Sequence, residues 1–506
     1  MQYKMTDEPL APVRDSIALS GRNSAVFFDV ARNGEVTLFS EYAFWTRQPE
    51  VVYRLEGPDL AFKWKNGWLP VLQVGDRYEL FAEGDRLLVR DGGKYCSLPG
   101  PREISREEFT RCAEKVTAYW EKWFAGGLAL PETGTGLDSA WRSSLIQALC
   151  AFTARHPHYG AHYYRTRCHD AFPPNLLSMT ETLLQFGHGE EAEGVFFYYF
   201  ERFINPDGTI GYYGPSLSEY GGIMWLTALL IRERPECRER AVEVIRPLIH
   251  YLLSLFVPRL HPEQNFDPYT LLNGSPEADE REKTLIYFHN NYHILRGFSM
   301  LAPFVAEAGI PELAAEMLSR ADLLGRMLRD AMTAKKKELG GIPFFLSQRK
   351  ILTDIQSERE TRYANYRYYQ EMLETGCLDP EDARSLFRYR EECGGEYHGN
   401  TLFTRRDGTA VCDNWPTSSY ARALLEYGER ERFMRLFRAH YRNYISSDTF
   451  TAYEQVRNDG DPRTAAAPAC VPVQLLLPRM LAWSYEYRKW DGSFVRWGGP
   501  DPEITA

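Results

Sequence analysis

The sequence predicts a mainly α-helical toroid of paired helices, preceded by a β-rich, sandwich-like N-terminal domain. Two observations support this fold class. Short β-branched and aromatic runs fill the first hundred or so residues, and helical patterns follow one another from there onward. The expected domains are 1–105 for the β-rich domain, 106–488 for the helical domain, and 489–506 for a β-like tail. A return of this tail to the β-rich domain is one option.

The β-rich domain is predicted from five runs that Gly, Asn, Asp and Pro separate. These runs are SAVFFDV, EVTLFSEYAF, EVVYRLEG, VLQVGDRYELFAE and RLLVRDG. Each has the length and the residue types of a strand, and the residues between the runs are those that form turns. We therefore expect a sheet or a sandwich in this part of the chain.

The helical domain is predicted from about a dozen segments that are often paired through short Gly or Pro turns. Their bounds are 107–124, 137–154, 173–186, 190–203, 219–232, 238–256, 284–308, 311–333, 354–374, 380–390, 417–427, 429–445 and 471–488. Helix pairs cannot bury their apolar faces alone, so they must stack into a solenoid or close into a ring. Long loops rich in aromatic, Gly and acidic residues favour the closed ring, because loops on a rigid scaffold carry chemistry.

Composition excludes several classes of function. The 506 residues are 44% hydrophobic and carry a net charge of −10, so no nucleic-acid partner is expected. The apolar run IMWLTALLI is too short to span a bilayer, and the charged start of the chain lacks the apolar core of a signal peptide. The nine Cys are scattered, which predicts reduced thiols and a cytoplasmic protein.

An acidic stretch, LLNGSPEADEREK at 271–283, is a candidate for catalysis. It places Glu277, Asp279, Glu280 and Glu282 between an Asn-Gly-Ser-Pro turn and a long helical pattern. One interpretation is a solvated loop whose acids favour the dipole of the next helix. The other is a catalytic acid on a loop above the scaffold. Like charges and partial burial raise the pKa of a carboxyl, so one of these acids could stay protonated near neutrality.

Four segments, in order along the chain, resemble the six-hairpin glycosidases of the glucoamylase type. They are HYYRTRCHDAFPPNLLSMTETLLQFGHGEEA, GTIGYYGPSLSEYGGIMWLTALL, the acidic stretch with LIYFHNNYHILRGFSMLAPFVAEAG, and TAYEQVRNDG before the final helix. The resemblance covers about residues 110 to 490. It implies an (α/α)₆ barrel behind a β-domain, and a glycoside hydrolase that acts on a terminal, α-linked sugar by inversion.

The resemblance also implies a set of site residues. Glu454 of TAYEQV matches the catalytic base, and the acid falls on Asp279, with Glu277 and Glu280 as rivals. Hydrolysis needs two such carboxylates, because one must protonate the leaving oxygen while the other activates water or attacks the sugar. For Glu454 the alternative is a surface or capping Glu.

Sugar-binding candidates flank these carboxylates. Arg167 and Asp170 could clamp sugar hydroxyls, since a guanidinium donates in a fork and a carboxylate accepts from a diol. The alternative for this pair is a buried structural salt bridge. Glu219 is a similar candidate. Tyr213, between Gly-flanked aromatics, and Trp415, before another helix, are stacking candidates, and core packing is the alternative for Trp415.

Other chemistries find less support. His289 and His293 are four residues apart, but HNNYH lacks the Glu of a zinc motif, so neither a metal nor a cofactor is expected. Nucleotide-binding glycine loops are absent from the sequence. A uronate lyase or sugar epimerase remains an alternative because residues 156–169 are His-rich, and a non-catalytic glycan-binding protein is a third. The expected partner in the leading interpretation is an oligosaccharide or another glycoside.

Overall fold

The computed structural model describes most of the chain. The described residues are 14–17, 27–31, 35–39, 51–55, 62–84, 86–98, 100–152, 155–159, 167–212, 214–257, 269–277, 284–351, 367–397, 399–404, 410–446, 449–456 and 470–505.

Two antiparallel sheets form the N-terminal region, as the sequence predicts. The first sheet contains β1 (Arg14–Ile17), β2 (Phe27–Ala31), β3 (Glu35–Phe39) and β4 (Val51–Arg54) in chain order. The second sheet contains, also in chain order, β5 (Phe62–Trp64), β6 (Leu72–Val74), β7 (Tyr78–Glu83), β8 (Arg86–Asp91), β9 (Lys94–Leu98) and β10 (Arg102–Glu103). Every strand pairs with its neighbour in sequence, so both sheets are meanders built from local contacts.

Helix α1 (Arg106–Ala125) joins the second sheet to the helical domain. It begins at Ser105, whose hydroxyl accepts a hydrogen bond from the backbone N–H of Glu108 at 3.1 Å. Phe109 packs against Phe81 of β7, with ring centroids 5.0 Å apart. At the other end of the helix, Trp123 belongs to the large core that the helices share. The sheet and the helices are therefore packed into one structure.

The helical domain alternates between buried and amphipathic helices. Their bounds are α2 (Gly136–Cys150), α3 (Arg167–Asp170), α4 (Pro173–Gln185), α5 (Gly189–Phe203), α6 (Leu217–Glu233), α7 (Arg238–Ser254), α8 (Phe288–Glu307), α9 (Pro311–Leu339), α10 (Tyr369–Glu374), α11 (Pro380–Glu392), α12 (Thr417–Glu426), α13 (Arg430–Ala439), α14 (Val471–Gln474) and α15 (Leu476–Tyr485). Helices α4, α6, α8, α10, α12 and α15 are buried almost throughout, as expected for an inner layer.

These six inner helices close into a ring. Helix α4 contacts α6, α6 contacts α8, α8 contacts α10, α10 contacts α12, α12 contacts α15, and α15 returns to α4. The outer partner of α15 is α2, which lies more than 300 residues earlier in the chain. The predicted fold class, a toroid of paired helices with an N-terminal β-rich region, is confirmed.

One inner contact, between α6 and α8, depends on two glycines. A Cβ atom on Gly221 would lie 2.4 Å from the backbone of His293, and one on Gly297 would lie 2.8 Å from the carbonyl oxygen of Gly221. The two helices therefore approach closely enough for backbone to contact backbone. This approach brings the start of α6 and the start of α8 to the same place.

A small sheet between α11 and α15 was not predicted. It contains β11 (Glu396–Tyr397), β12 (Asn400–Thr404), β13 (Ala410–Asp413) and β14 (Gln455–Val456), all antiparallel. The run TLFTRRDGTAVCD combines β-branched and apolar residues with an Asp-Gly pair, which is the sequence pattern of a β-hairpin. The predicted helix 354–374 lies largely outside the described residues, and its described part ends in α10.

The C-terminal tail packs on the helices. It contains β15 (Tyr487–Arg488), β16 (Phe494–Val495) and α16 (Pro502–Thr505). The indole N–H of Trp490 donates to the carbonyl oxygen of Glu374 at 2.8 Å, and the ring of Trp497 lies 5.3 Å from that of Phe433. These contacts place the tail on the helical ring. The sequence alone instead leaves a return of the tail to the β-rich region as one option.

Candidate functional site

A pocket of about 80 Å³ lies inside the ring, where the inner helices begin. Its walls come from α4, α6, α8, α10, α12, α14 and α15, and from Arg367 and Trp415, which precede α10 and α12. Aromatic, acidic and basic side chains meet there. The lining residues include Ser178, Glu181, Ser218, Glu219, Trp225, His293, Arg367, Glu371, Glu374, Trp415, Arg422, Pro472 and Arg479.

Arg367 is the centre of this pocket. Its side chain is buried, and three carboxylates from different parts of the chain contact it. The Nη2 atom lies 3.2 Å from Glu219, Nη1 lies 3.1 Å from Glu277, and Nε lies 2.5 Å from Glu371. One guanidinium carries a single positive charge, so it cannot neutralise three ionised carboxylates. The arrangement therefore favours a proton on one of them.

Glu219 is the carboxyl that retains the proton. Burial is the main cause, and it raises the pKa of Glu219 to about 8 even though Arg367 acts in the opposite direction. The negative charges of Glu371 and Glu277 add to the increase. Glu219 lies in the first turn of α6, where its backbone N–H donates to the carbonyl oxygen of Ser216 at 3.1 Å. It is therefore a neutral carboxylic acid at pH 7 inside a charged pocket.

Glu277 reaches Arg367 because the loop before it is tied to α8. The side chain of Asn290 donates to the carbonyl oxygen of Ser275 at 2.8 Å and accepts from the backbone N–H of Ser218 at 2.9 Å. His289 Nε2 lies 3.2 Å from the carbonyl oxygen of Pro276. These bonds join the start of the acidic loop to the starts of α6 and α8. The other acid candidates, Asp279 and Glu280, lie outside the described residues.

Trp415 forms an aromatic wall beside Arg367. The guanidinium carbon of Arg367 lies 4.6 Å from the centroid of the Trp415 ring. Phe172 stacks on the same ring, with the two ring centroids 5.9 Å apart. Asp413 at the end of β13 accepts a hydrogen bond from the backbone N–H of Trp415 at 2.9 Å. Trp415 is only partly buried, so part of its ring faces the pocket. Trp225 lines the pocket from α6.

Glu454 lies next to the segment that carries Trp415. Its backbone carbonyl accepts a hydrogen bond from Asn414 N–H at 2.7 Å, and Gln455, which follows it, bonds to Asp413 at 2.8 Å. The hydroxyl of Tyr159 donates to the carboxylate of Glu454 at 3.1 Å. A donor to the charged form of a carboxyl favours ionisation. Glu454 is thus an oriented carboxylate on a second loop.

Two glutamine side chains hold the loop of Glu454 in place. Gln147 of α2 donates to the carbonyl oxygen of Thr449 at 2.6 Å, and Gln474 of α14 donates to that of Phe450 at 2.8 Å. Phe450 has a φ of 53°, a left-handed conformation that few non-glycine residues adopt. Backbone strain of this kind persists only where the surroundings fix it. The loop is therefore held rigidly at the point where the ring closes.

Asp170 is buried beside this loop. Its carboxylate lies 3.1 Å from His156 Nε2 and 3.3 Å from His158 Nδ1, and it accepts from the backbone N–H of Tyr159 at 3.4 Å. Burial acts to raise the pKa of Asp170, but the two histidines outweigh it and hold that pKa below its ordinary value. Asp170 therefore connects to Glu454 through Tyr159. The side chain of Arg167 and the whole of Tyr213 lie outside the described residues.

The floor of the pocket is an ion-pair network that sequence reasoning missed. Arg422 binds both carboxylate oxygens of Glu181 at 2.7 Å, and Arg479 adds a third contact at 2.5 Å. Oε2 of Glu374 lies 3.3 Å from Arg422 Nε, and its Oε1 lies 3.3 Å from His293 Nε2. Burial acts to raise the pKa of Glu181, but Arg422 and Arg479 outweigh it. The network ties five inner helices together (α4, α8, α10, α12 and α15) and keeps the floor charged.

Comparisons with known proteins identify the architecture. No protein-family profile matches the sequence, and a search of curated proteins finds no relative. A bacterial glucoamylase solved as a complex with acarbose superposes with a TM-score of 0.58 over 96% of this chain and 95% of its own, at 9% identity. The chain shares the overall fold of this solved glucoamylase.

A second solved structure, a wild-type glycosidase, has a TM-score of 0.50 at 12% identity. It matches 70% of this chain and 99% of its own length. At these identities the likeness is one of fold, so the chemistry must be argued from the site itself. Within the described residues, no helix of this chain is long and apolar enough to cross a membrane.

Proposed function

We propose that this protein is a glycoside hydrolase that removes a terminal, α-linked sugar with inversion at the anomeric carbon. The observation that carries the proposal is the pair of carboxylates, Glu277 and Glu454, on two loops around one aromatic-walled pocket. Glu277 contacts Arg367, Trp415 stacks on Arg367, and Glu454 is bonded to the residue before Trp415. An acid and a base flanking a sugar are what hydrolysis requires.

Glu454 acts as the base in this proposal. A base must be ionised at the working pH, and the hydroxyl of Tyr159 stabilises the ionised form. The rigid loop between Gln147 and Gln474 holds the carboxylate in one orientation, so water can be activated without reorganisation of the loop.

The acid comes from the loop 277–280. Glu277 is the described member of that loop and contacts Arg367, which lines the pocket, and Asp279 and Glu280 remain its rivals. Because Arg367 stabilises ionised carboxylates, it opposes protonation of Glu277, whereas burial keeps Glu219 protonated. Glu219 is therefore a second candidate for the acid, in addition to the sugar-binding role predicted for it from the sequence. Variants of these residues distinguish the assignments.

Two other functions fit the pocket less well. A uronate lyase or epimerase needs a basic pocket for the substrate carboxylate, but Arg367, Arg422 and Arg479 are each bound to glutamates. Two histidines of the His-rich segment, His156 and His158, contact Asp170. A protein that only binds glycans would need no carboxylate pair. The likeness to a glucoamylase that binds acarbose favours an oligosaccharide substrate, and a cytoplasmic location is part of the proposal.

Substitution of the two carboxylates tests the proposal. We expect Glu454→Gln to lower turnover of an oligosaccharide by a factor on the order of 10² to 10⁴, the contribution of a positioned general base, with sugar binding retained. We expect Glu277→Gln to lose turnover of the same substrate but to recover it with a nitrophenyl glycoside, whose leaving group needs little protonation. That substrate should leave Glu454→Gln inactive.

The controls separate the roles. Glu108→Gln, at an exposed ion pair on α1, should turn over all substrates like the wild type. If Glu219→Gln, and not Glu277→Gln, is rescued by the nitrophenyl substrate, the acid is Glu219. A wild-type protein that cleaves no glycoside in a broad panel, or a fully active Glu454→Gln, would overturn the proposed hydrolysis.

A further inference from the structure

Two histidine side chains converge on one carboxylate oxygen of Asp170. His156 Nε2 lies 3.1 Å and His158 Nδ1 lies 3.3 Å from the same Oδ2 atom of Asp170. The other oxygen, Oδ1, accepts the backbone N–H of Tyr159 at 3.4 Å. One carboxylate oxygen is therefore already bonded, and the second one faces two imidazole nitrogens.

Charge is unbalanced at this cluster. Asp170 and His158 are each 1% exposed, so the carboxylate is removed from solvent. Among the side chains that the structure describes, which do not include that of Arg167, no Lys or Arg lies within ion-pair distance of Asp170. A buried carboxylate without a cation is unfavourable by several kcal/mol, so a cation bound beside it is favourable.

We infer that His156, His158 and Asp170 form a binding site for a divalent transition-metal ion of the Zn²⁺ type. Two imidazoles and one carboxylate are ligands that such ions prefer, and three protein ligands leave one position for water. With metal–ligand bonds of about 2.0 to 2.1 Å, neighbouring ligand atoms in a tetrahedral site lie about 3.3 Å apart. The two distances to Asp170 Oδ2 match this spacing.

The surroundings fit the ligand roles. His156 Nδ1 lies 2.9 Å from the hydroxyl of Tyr198, which can accept the N–H of an imidazole that binds metal through Nε2. Such an outer hydrogen bond fixes the tautomer and orientation of a metal-binding histidine. A motif search based on HExxH misses this site, because its ligands are a His-x-His pair followed twelve residues later by Asp170.

Binding requires a movement of the ligands. The ligand atoms all lie within 4.8 Å of one another, whereas neighbouring ligand atoms of a tetrahedral site lie about 3.3 Å apart. A pair at that upper limit must therefore close by roughly 1.5 Å. His156, with a side chain that is 16% exposed, has more freedom to move than His158.

The ion would act on the segment that orients Glu454. Tyr159 follows His158 directly, and its hydroxyl donates to Glu454. A metal that joins residues 156–158 to Asp170 at the end of α3 would fix that segment against the barrel. The inference itself rests on the ligand geometry and does not require that the protein hydrolyse glycosides.

Titration with Zn²⁺ alone tests this site. Untagged full-length protein, stripped with a chelator and dialysed, should bind one Zn²⁺ per chain, and its Tm should rise on addition of Zn²⁺. We expect His158→Ala and Asp170→Asn to lose both the bound equivalent and the rise in Tm. His250→Ala, which removes an exposed histidine on α7, is the matched control and should behave as wild type.

A Co²⁺ spectrum tests the metal coordination in the wild type itself, without a substitution that could prevent folding. Wild-type protein loaded with Co²⁺ in place of Zn²⁺ should show the intense visible bands of a four-coordinate ion, and His250→Ala should show the same bands. The inference is overturned if wild-type protein binds no Zn²⁺ at stoichiometric concentration. It is also overturned if folded Asp170→Asn binds Zn²⁺ and shifts its Tm as wild type does, since binding then occurs elsewhere on the protein.

Discussion

Arg367 shows at the scale of one residue how the site sets protonation states. Its guanidinium contacts Glu219, Glu277 and Glu371, and its charge cannot satisfy all three. The deepest carboxyl, Glu219, keeps its proton because burial penalises its charged form most. Nothing in the sequence marks Arg367, because an Arg four residues before a Glu is an ordinary pair on the surface of a helix.

The pH dependence of stability tests the protonation of Glu219. Its pKa is about 8 in the folded protein and near 4.5 when exposed, so the folded state binds one more proton between these values. The contribution of Glu219 to the free energy of unfolding is therefore largest below about pH 4.5. It falls as pH rises toward 8, by at most about 1.4 kcal/mol per pH unit.

Urea unfolding of the wild type and Glu219→Gln measures this effect. The difference between their free energies of unfolding should change steadily between about pH 5 and about pH 8, with wild type losing stability relative to the variant. Groups with lowered pKa values, such as Glu181 and Glu374, act in the opposite direction, but they are common to both proteins. A difference that stays constant across this range would show that Glu219 is ionised in the folded protein.

At the scale of elements, the site depends on how closely α6 and α8 approach. Gly221→Ala places a methyl group within 2.4 Å of the backbone of His293. A backbone atom cannot relieve such a clash by a change of rotamer, as a side chain can. We expect a loss of about 1 to 3 kcal/mol or more in the free energy of unfolding, as for other overpacked cores. Activity should fall as well, because both helices carry groups of the pocket.

Gly325→Ala is the matched control for this prediction. Gly325 also lies inside a helix, α9, but the nearest atom to its added Cβ would be 3.5 Å away on the Arg329 side chain. Since Ala favours a helix over Gly, the control should be neutral or slightly stabilised in urea unfolding. If both variants unfold at the same urea concentration as wild type, the close packing of α6 on α8 is not important for stability.

Elements differ in how far the sequence reveals them. Long periodic segments such as α9 and α6 were predictable, because their apolar spacing persists over several turns. The strands β11 and β14 contain two residues each and carry no pattern of that kind. The acidic loop and Glu454 were found through resemblance to a family. Tyr159, Arg367 and Arg422 were missed because their roles come from contacts between residues far apart in sequence.

At the scale of the whole molecule, closure of the ring and placement of Glu454 depend on the same contacts. Gln147 comes from α2 and Gln474 from α14, and both bind the loop that precedes Glu454. The hydroxyl of Thr451 also donates to Gln147 at 3.1 Å. Glu454 is therefore positioned only when the two ends of the helical domain meet. Glu277, on the other hand, is positioned by α8 within the ring.

The central claim is that a sugar binds in this pocket with its anomeric carbon between the two carboxylate loops. A crystal structure of Glu454→Gln with a bound oligosaccharide tests it most directly. We expect the terminal sugar to lie against Trp415, with residues 277 and 454 on opposite faces of the sugar and their side-chain carboxyl positions about 6.5 to 9.5 Å apart, as inversion requires. A sugar bound outside this pocket, or one with both residues on the same side of its anomeric carbon, would contradict the account.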